Sequence, residues 1–159
     1  DSRAIDTDHG AFTLHAYRDR LTRGLHYALV RGDVGGDAPV LVRVQAQNPL
    51  ADALHWRRDD FGPLVGDVLA MIAAEGRGVL VLLGDAPDAE ATLARIREQP
   101  APPASKAGTL AQWRRTGAGS QILADLGLHR LRVLGTPRRQ IGLAGFGLEI
   151  VEYAALPAR

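Results

Sequence analysis

The chain has 159 residues and a mass of 17.0 kDa, long enough for one domain with a real core. Its formal charge of +1 provides no broad field that would steer it to nucleic acid or an acidic membrane. Cys is absent, which excludes disulfides, iron–sulfur clusters and thiolate zinc.

Residues 1–9 are polar and read as a linker or arm, leaving 10–159 as a single domain. The chain begins at Asp1 and its one Met is Met71, so a piece of a longer polypeptide is expected. No apolar run reaches membrane-spanning length and no signal-peptide pattern opens the chain, which fits a cytoplasmic protein. Ala11 to Tyr17 alternates Phe12, Leu14 and Ala16 with Thr13, His15 and Tyr17, the pattern of a half-buried strand. LHYALVRGD reads as a second strand, and PVLVRV (39–44) as a third, well-buried one. Short connections between the three suggest an antiparallel meander.

A polar segment, QAQNPLADALHWRRDDFG, leads from the third strand into a helix over 61–74. Leu64, Val65, Val68, Leu69 and Ile72 recur there at helical spacing, with Pro63 suited to the first turn and Gly76 to the end. VLVLLG is the next buried strand, and its link through a helix to PVLVRV predicts a parallel βαβ crossover. Asp88 to Gln99 reads as a short amphipathic helix, followed by the Pro/Ala stretch PAPPASKAG. GAGSQILADLGL predicts a helix that stops at Gly127, LRVLG a strand, PRRQIGLAGFG a short helix and LEIVEY a closing strand. The elements make an α+β or α/β domain with a mixed sheet, an N-terminal antiparallel meander and flanking helices.

Several of these segments resemble GTP cyclohydrolase II of riboflavin biosynthesis. GAFTLHAYRD, HYALVRGD, the EGRG turn and RRTGAGSQILADLGLHRLRVLGTPRRQIGLAGFGLEIVE follow that family's patterns in order. The resemblance implies the family's fold, and an arrangement in which this domain follows a 3,4-dihydroxy-2-butanone 4-phosphate synthase domain, a lyase that can carry Mg²⁺. It also locates the family's zinc cysteines on Asn48, Asp59 and Phe61, and its His-Ser-Glu on Gln45, Ala46 and Gln47. Arg114 falls on the Arg proposed there as nucleophile toward the nucleotide, with Gln112 in place of the acid two residues earlier. The family's Thr-Asn-Asn-Pro-x-Lys loop is Gly135-Thr136-Pro137-Arg138-Arg139, one residue shorter. Its phosphate loop is GDAPDAEA here, without Arg or Lys before Arg95, and its guanine-stacking Tyr has no counterpart.

Opening a guanine ring takes activated water, which zinc supplies in that family. The resemblance therefore implies a domain without zinc or GTP cyclohydrolase II activity, Arg114 being vestigial. The expected role is structural or regulatory beside an attached synthase domain, in a homodimer, with no nucleic-acid or membrane partner. One rival is a nucleotide or flavin sensor contacting phosphate through Arg43, Arg58, Arg114, Thr136 and Arg139. Another is a remodelled, zinc-independent nucleotide hydrolase. Asp59 and Asp60 beside Arg57 and Arg58 suit Mg²⁺ as donors, or surface pairing at a helix entrance. The five His residues are too scattered for a short-spaced ligand pair, although His15 and His26 lie on two hairpin strands where they can meet.

Overall fold

The structure, a computed structural model, describes residues 1–84, 88–98, 106–137 and 143–156, with side chains omitted for 106–114. Seven strands form one sheet: β1 Ser2–Thr7, β2 Gly10–Arg18, β3 Leu25–Arg31, β4 Val40–Ala46, β5 Gly78–Leu83, β6 Arg130–Leu134 and β7 Glu149–Ala154. Their order is β1-β2-β3-β5-β4-β6-β7. Pairing is antiparallel from β1 to β5 and parallel from β5 through β4 and β6 to β7. The helices are α1 Pro49–Asp52, α2 Val65–Glu75, α3 Ala89–Ile96 and α4 Lys106–Asp125.

Strand alternation splits the core into two layers. On one face Phe12, Leu29, Leu41 and Leu80 pack with Val68, Leu69 and Ile72 of α2. On the other, Val30, Val42, Val79 and Val81 pack with Ile122 and Leu123 of α4. Strands β4 and β5 are central and covered on both sides, which is why their sequences read as near-continuous apolar runs. Truncating the fully buried Ile72 to Ala would remove about 2–5 kcal/mol of stability.

The mixed sheet, the meander and the parallel crossover stand as expected, with a different membership. The meander is β1-β2-β3, and β5 rather than β4 lies beside β3. Residues 1–9 contain β1, paired with β2 from Ser2↔His15 to Thr7↔Gly10, rather than a linker. Its polarity reflects an edge position, with only Ile5 packed onto the core. Helix α2 starts at Val65 with Leu64 as N-cap, so Pro63 precedes the helix, and Gly76 ends it at φ 78°. Residues 106–125 form one long helix, and Ala144–Phe146 is a single 3-10 turn. The segments 99–105 and 138–142 lie outside the described residues. Among the described residues, no helix is long and apolar enough to cross a membrane.

Candidate functional site: the loop between β4 and α2

Parallel strands β4, β5, β6 and β7 deliver their carboxyl ends to one edge of the sheet, where α/β folds place ligands. The segment from Gln45 to Leu64 crosses this edge. Asn48 opens it by capping α1: its Oδ1 accepts from Ala51 N at 3.4 Å. Asp52 closes it, accepting from Val65 N at 2.9 Å, the first backbone donor of α2.

Arg43 is a half-buried strut beneath the loop. Its Nε donates to Gln45 Oε1 at 3.2 Å and one terminal nitrogen to the Leu134 carbonyl at 2.9 Å. Gln45 in turn donates to the Pro63 carbonyl. A Cβ on Gly135 would stand 2.8 Å from one guanidinium nitrogen, and one on Gly62 3.3 Å from the other. Both glycines have positive φ, so a side chain at either would be strained, and one at Gly135 would also crowd the guanidinium.

Arg58 organises the outer part of the loop. Its guanidinium lies 5.3 Å from the Trp56 ring centroid and 5.6 Å from that of Phe61. The two rings meet edge to face at 5.5 Å. Arg58 Nε donates to Asp60 Oδ1 at 2.9 Å, and a terminal nitrogen donates to the Arg95 carbonyl of α3 at 3.2 Å. Arg95 reaches Asp60 Oδ2 at 3.4 Å. The Arg58 hydrogen bond holds the Asp60 carboxyl below its ordinary range.

This arrangement does not fit zinc on Asn48, Asp59 and Phe61. Phe61 has no donor atom, and Asn48 spends its oxygen on a helix cap. A guanidinium lies over the Phe61 ring, where it would repel a divalent cation. Asp60 has both oxygens turned to arginines, which withdraws half of the Asp59–Asp60 pair from Mg²⁺. Among the described residues, no group of three or more His, Asp or Glu can hold a metal ion.

Of the residues weighed for phosphate, Arg43 and Arg58 thus meet groups of the protein itself. Thr136 is exposed just beyond β6, close in sequence to the Leu134 carbonyl that Arg43 grips. Arg114 lies on α4, its side chain outside the described set, and Arg139 lies outside the described residues. Trp56 and Arg95 were not foreseen; the spacing Trp56-Arg58-Phe61 was the one sequence signal for the aromatic clasp. A shallow depression beside it is lined by Trp56, Arg57, Leu64, Asp67 and Leu156. His15 and His26 do not pair: His26 faces Tyr17 across the strands and His15 faces Ala28. His26 is buried, with Nδ1 accepting from Gly84 N at 3.0 Å and Nε2 3.7 Å from Asp19.

Comparison with known proteins accords with this architecture. The family model described as GTP cyclohydrolase II matches residues 1–155. A 3,4-dihydroxy-2-butanone 4-phosphate synthase of Pseudomonas syringae pv. tomato is 37% identical over 98% of this chain and 42% of its own length. The riboflavin biosynthesis protein RibBA of Chlorobium phaeovibrioides is 37% identical over 96% of this chain and 39% of its own. The crystal structure of RibBX, a two-domain 3,4-dihydroxy-2-butanone 4-phosphate synthase from A. baumannii, superposes with a TM-score of 0.66 at 30% identity. That match covers 99% of this chain and 39% of the other. The chain therefore spans about two fifths of the length of these relatives. With the family model matching nearly its whole length, the chain belongs to the GTP cyclohydrolase II family.

Proposed function

We propose that this is a GTP cyclohydrolase II-like domain without that activity, serving a structural role beside a 3,4-dihydroxy-2-butanone 4-phosphate synthase domain in riboflavin biosynthesis. The observation that carries this reading is the Trp56–Arg58–Phe61 clasp, which fills the loop where the resemblance would put a thiolate metal centre. A water attacking guanine needs an activating electrophile, and this loop offers two packed aromatic rings and a cation already engaged with Asp60. Apolar layers nevertheless cover both faces of the sheet. Residues needed for folding follow the family pattern while those needed only for GTP depart from it, as expected where the remaining role is a protein contact.

The relatives' names and their extra length support the partner, since each carries a further region outside the matched one. The domain works without zinc, in the cytoplasm, within a homodimer of the parent polypeptide. Purified protein given GTP, with and without added Zn²⁺ or Mg²⁺, should release neither formate nor pyrophosphate. Turnover abolished by Arg114→Ala would revive the remodelled hydrolase instead. GTP or flavin binding without turnover would favour the sensor.

A further inference from the structure

Among the described residues, seven large apolar side chains are prominently exposed, and six of them belong to three neighbouring segments. Leu21 and Leu25 lie in and just after the β2–β3 turn, Leu54 and Trp56 in the β4–α2 loop, and Leu93 and Ile96 on α3. All three segments adjoin the carboxyl ends of β4 and β5. One contact sets the β2–β3 turn against the end of β5, and another ties the β4–α2 loop to α3. The Leu25 carbonyl lies so close to Gly84, just after β5, that a Cβ there would stand 1.8 Å away. Arg58, stacked on Trp56, donates to the carbonyl of Arg95 beside Ile96. Leu54 is 70% exposed and Ile96 51%; apolar side chains on adjoining segments, unlike single ones, mark interaction surfaces.

Both ends of the described chain come out at this same edge. Asp1 bonds to Ala16, and strand register carries that row through Tyr27 and Leu82 to Gln45. Four strand spacings place Asp1 within about 20 Å of Gln45. At the other end, Leu156 lines the depression beside Trp56. In relatives the matched region is about two fifths of the polypeptide, so the rest must join through one of these ends.

We propose that this apolar ridge is the docking face for the remaining domain of the same polypeptide. The inference rests on the scaffold reading above and adds the location of the contact: the edge at which this fold places ligands is given over to protein. The ridge suits an interface within a chain, which buries about 600–1,500 Å². Phe146, 40% exposed and preceding β7 at the opposite edge, provides an internal control.

The test is hydroxyl-radical footprinting of the full-length parent polypeptide, each residue normalised to its reactivity in the urea-unfolded protein. Leu54, Trp56 and Ile96 should be shielded several-fold more than Phe146, at every protein concentration. Labelling of Leu54 and Ile96 at least as strong as that of Phe146 would overturn the proposal. Shielding that vanishes on dilution would also overturn it, assigning the ridge to a second copy of the chain. A synthase indifferent to loss of the domain would end the scaffold reading while leaving the shielding in place, so the two failures are distinguishable.

Discussion

The guanidinium of Arg58 lies 5.6 Å from the ring centroid of Phe61, a cation against an aromatic face in the loop where the resemblance puts a metal. The same group stacks near Trp56 and pairs with Asp60, so three neighbouring side chains depend on it. Arg58→Ala should destabilise the protein by about 1–2 kcal/mol, combining two cation–π contacts with a half-exposed ion pair. Arg58→Lys should recover less than half, because a lysine keeps the charge but loses the planar fork. Urea unfolding of the two variants checks both values, and zinc content by elemental analysis should stay substoichiometric in each.

Two glycines of α4 should respond in opposite senses to the same change. A Cβ on Gly119 would stand 2.8 Å from Val44 Cγ1, where α4 presses on β4, whereas one on Gly117 meets nothing within 4 Å. Gly117→Ala should stabilise by about 1 kcal/mol through helix propensity. Gly119→Ala should destabilise by about 1–2 kcal/mol, the overpacking exceeding that gain. Adding Val44→Ala should relieve part of the Gly119→Ala penalty, a coupling that a double-mutant cycle measures.

The dependence of stability on pH has two identifiable limbs. The Thr22 and Leu21 N–H groups donate to Asp19 and hold its carboxyl below the ordinary value of 3.8. The stability this contributes is present above that value and is lost as pH falls through the lower folded value. Burial, then the hydrogen bond to Asp125, pushes the Tyr17 hydroxyl above its ordinary 10.0. Its contribution is therefore full below pH 10 and is lost as pH rises beyond. Asp19→Asn should flatten the acid limb and Tyr17→Phe the alkaline limb, read from melting temperatures across pH.

Arg43 separates anchoring from ligand binding. Arg43→Ala leaves the Leu134 carbonyl and the Gln45 amide without their donor and should lower stability by roughly 1–3 kcal/mol. Arg43→Lys should fall between, since one ammonium cannot span both acceptors in the guanidinium's geometry. Thermal melts with and without GTP provide the check: the nucleotide should leave the wild-type melting temperature unchanged.

What the sequence made legible follows the range of the forces involved. Strands β2 to β5 and helix α2 announce themselves through local alternation and helical spacing in Phe12, Leu14, Val68 and Ile72. Strand β1 does not, because an edge strand with Ile5 as its one core contact lacks the apolar alternation that marks a strand. The insertion of β5 between β3 and β4 is a choice of partner among apolar runs of equal quality, which no local pattern encodes. At the site, missing thiolates were plain from composition. The Arg43–Leu134 bond spans 91 residues, and the Arg58–Arg95 bond spans 37. Both were invisible until the sheet brought β4, β6 and α3 together.

The domain is proposed to support a synthase rather than to act on GTP. Its most direct measurement deletes residues 1–159 from the parent polypeptide and compares synthase activity, melting temperature and oligomeric state with the intact protein. At least one of the three should fall, with none restored by GTP. A truncated synthase that keeps full activity, the same melting temperature and the same assembly would contradict it.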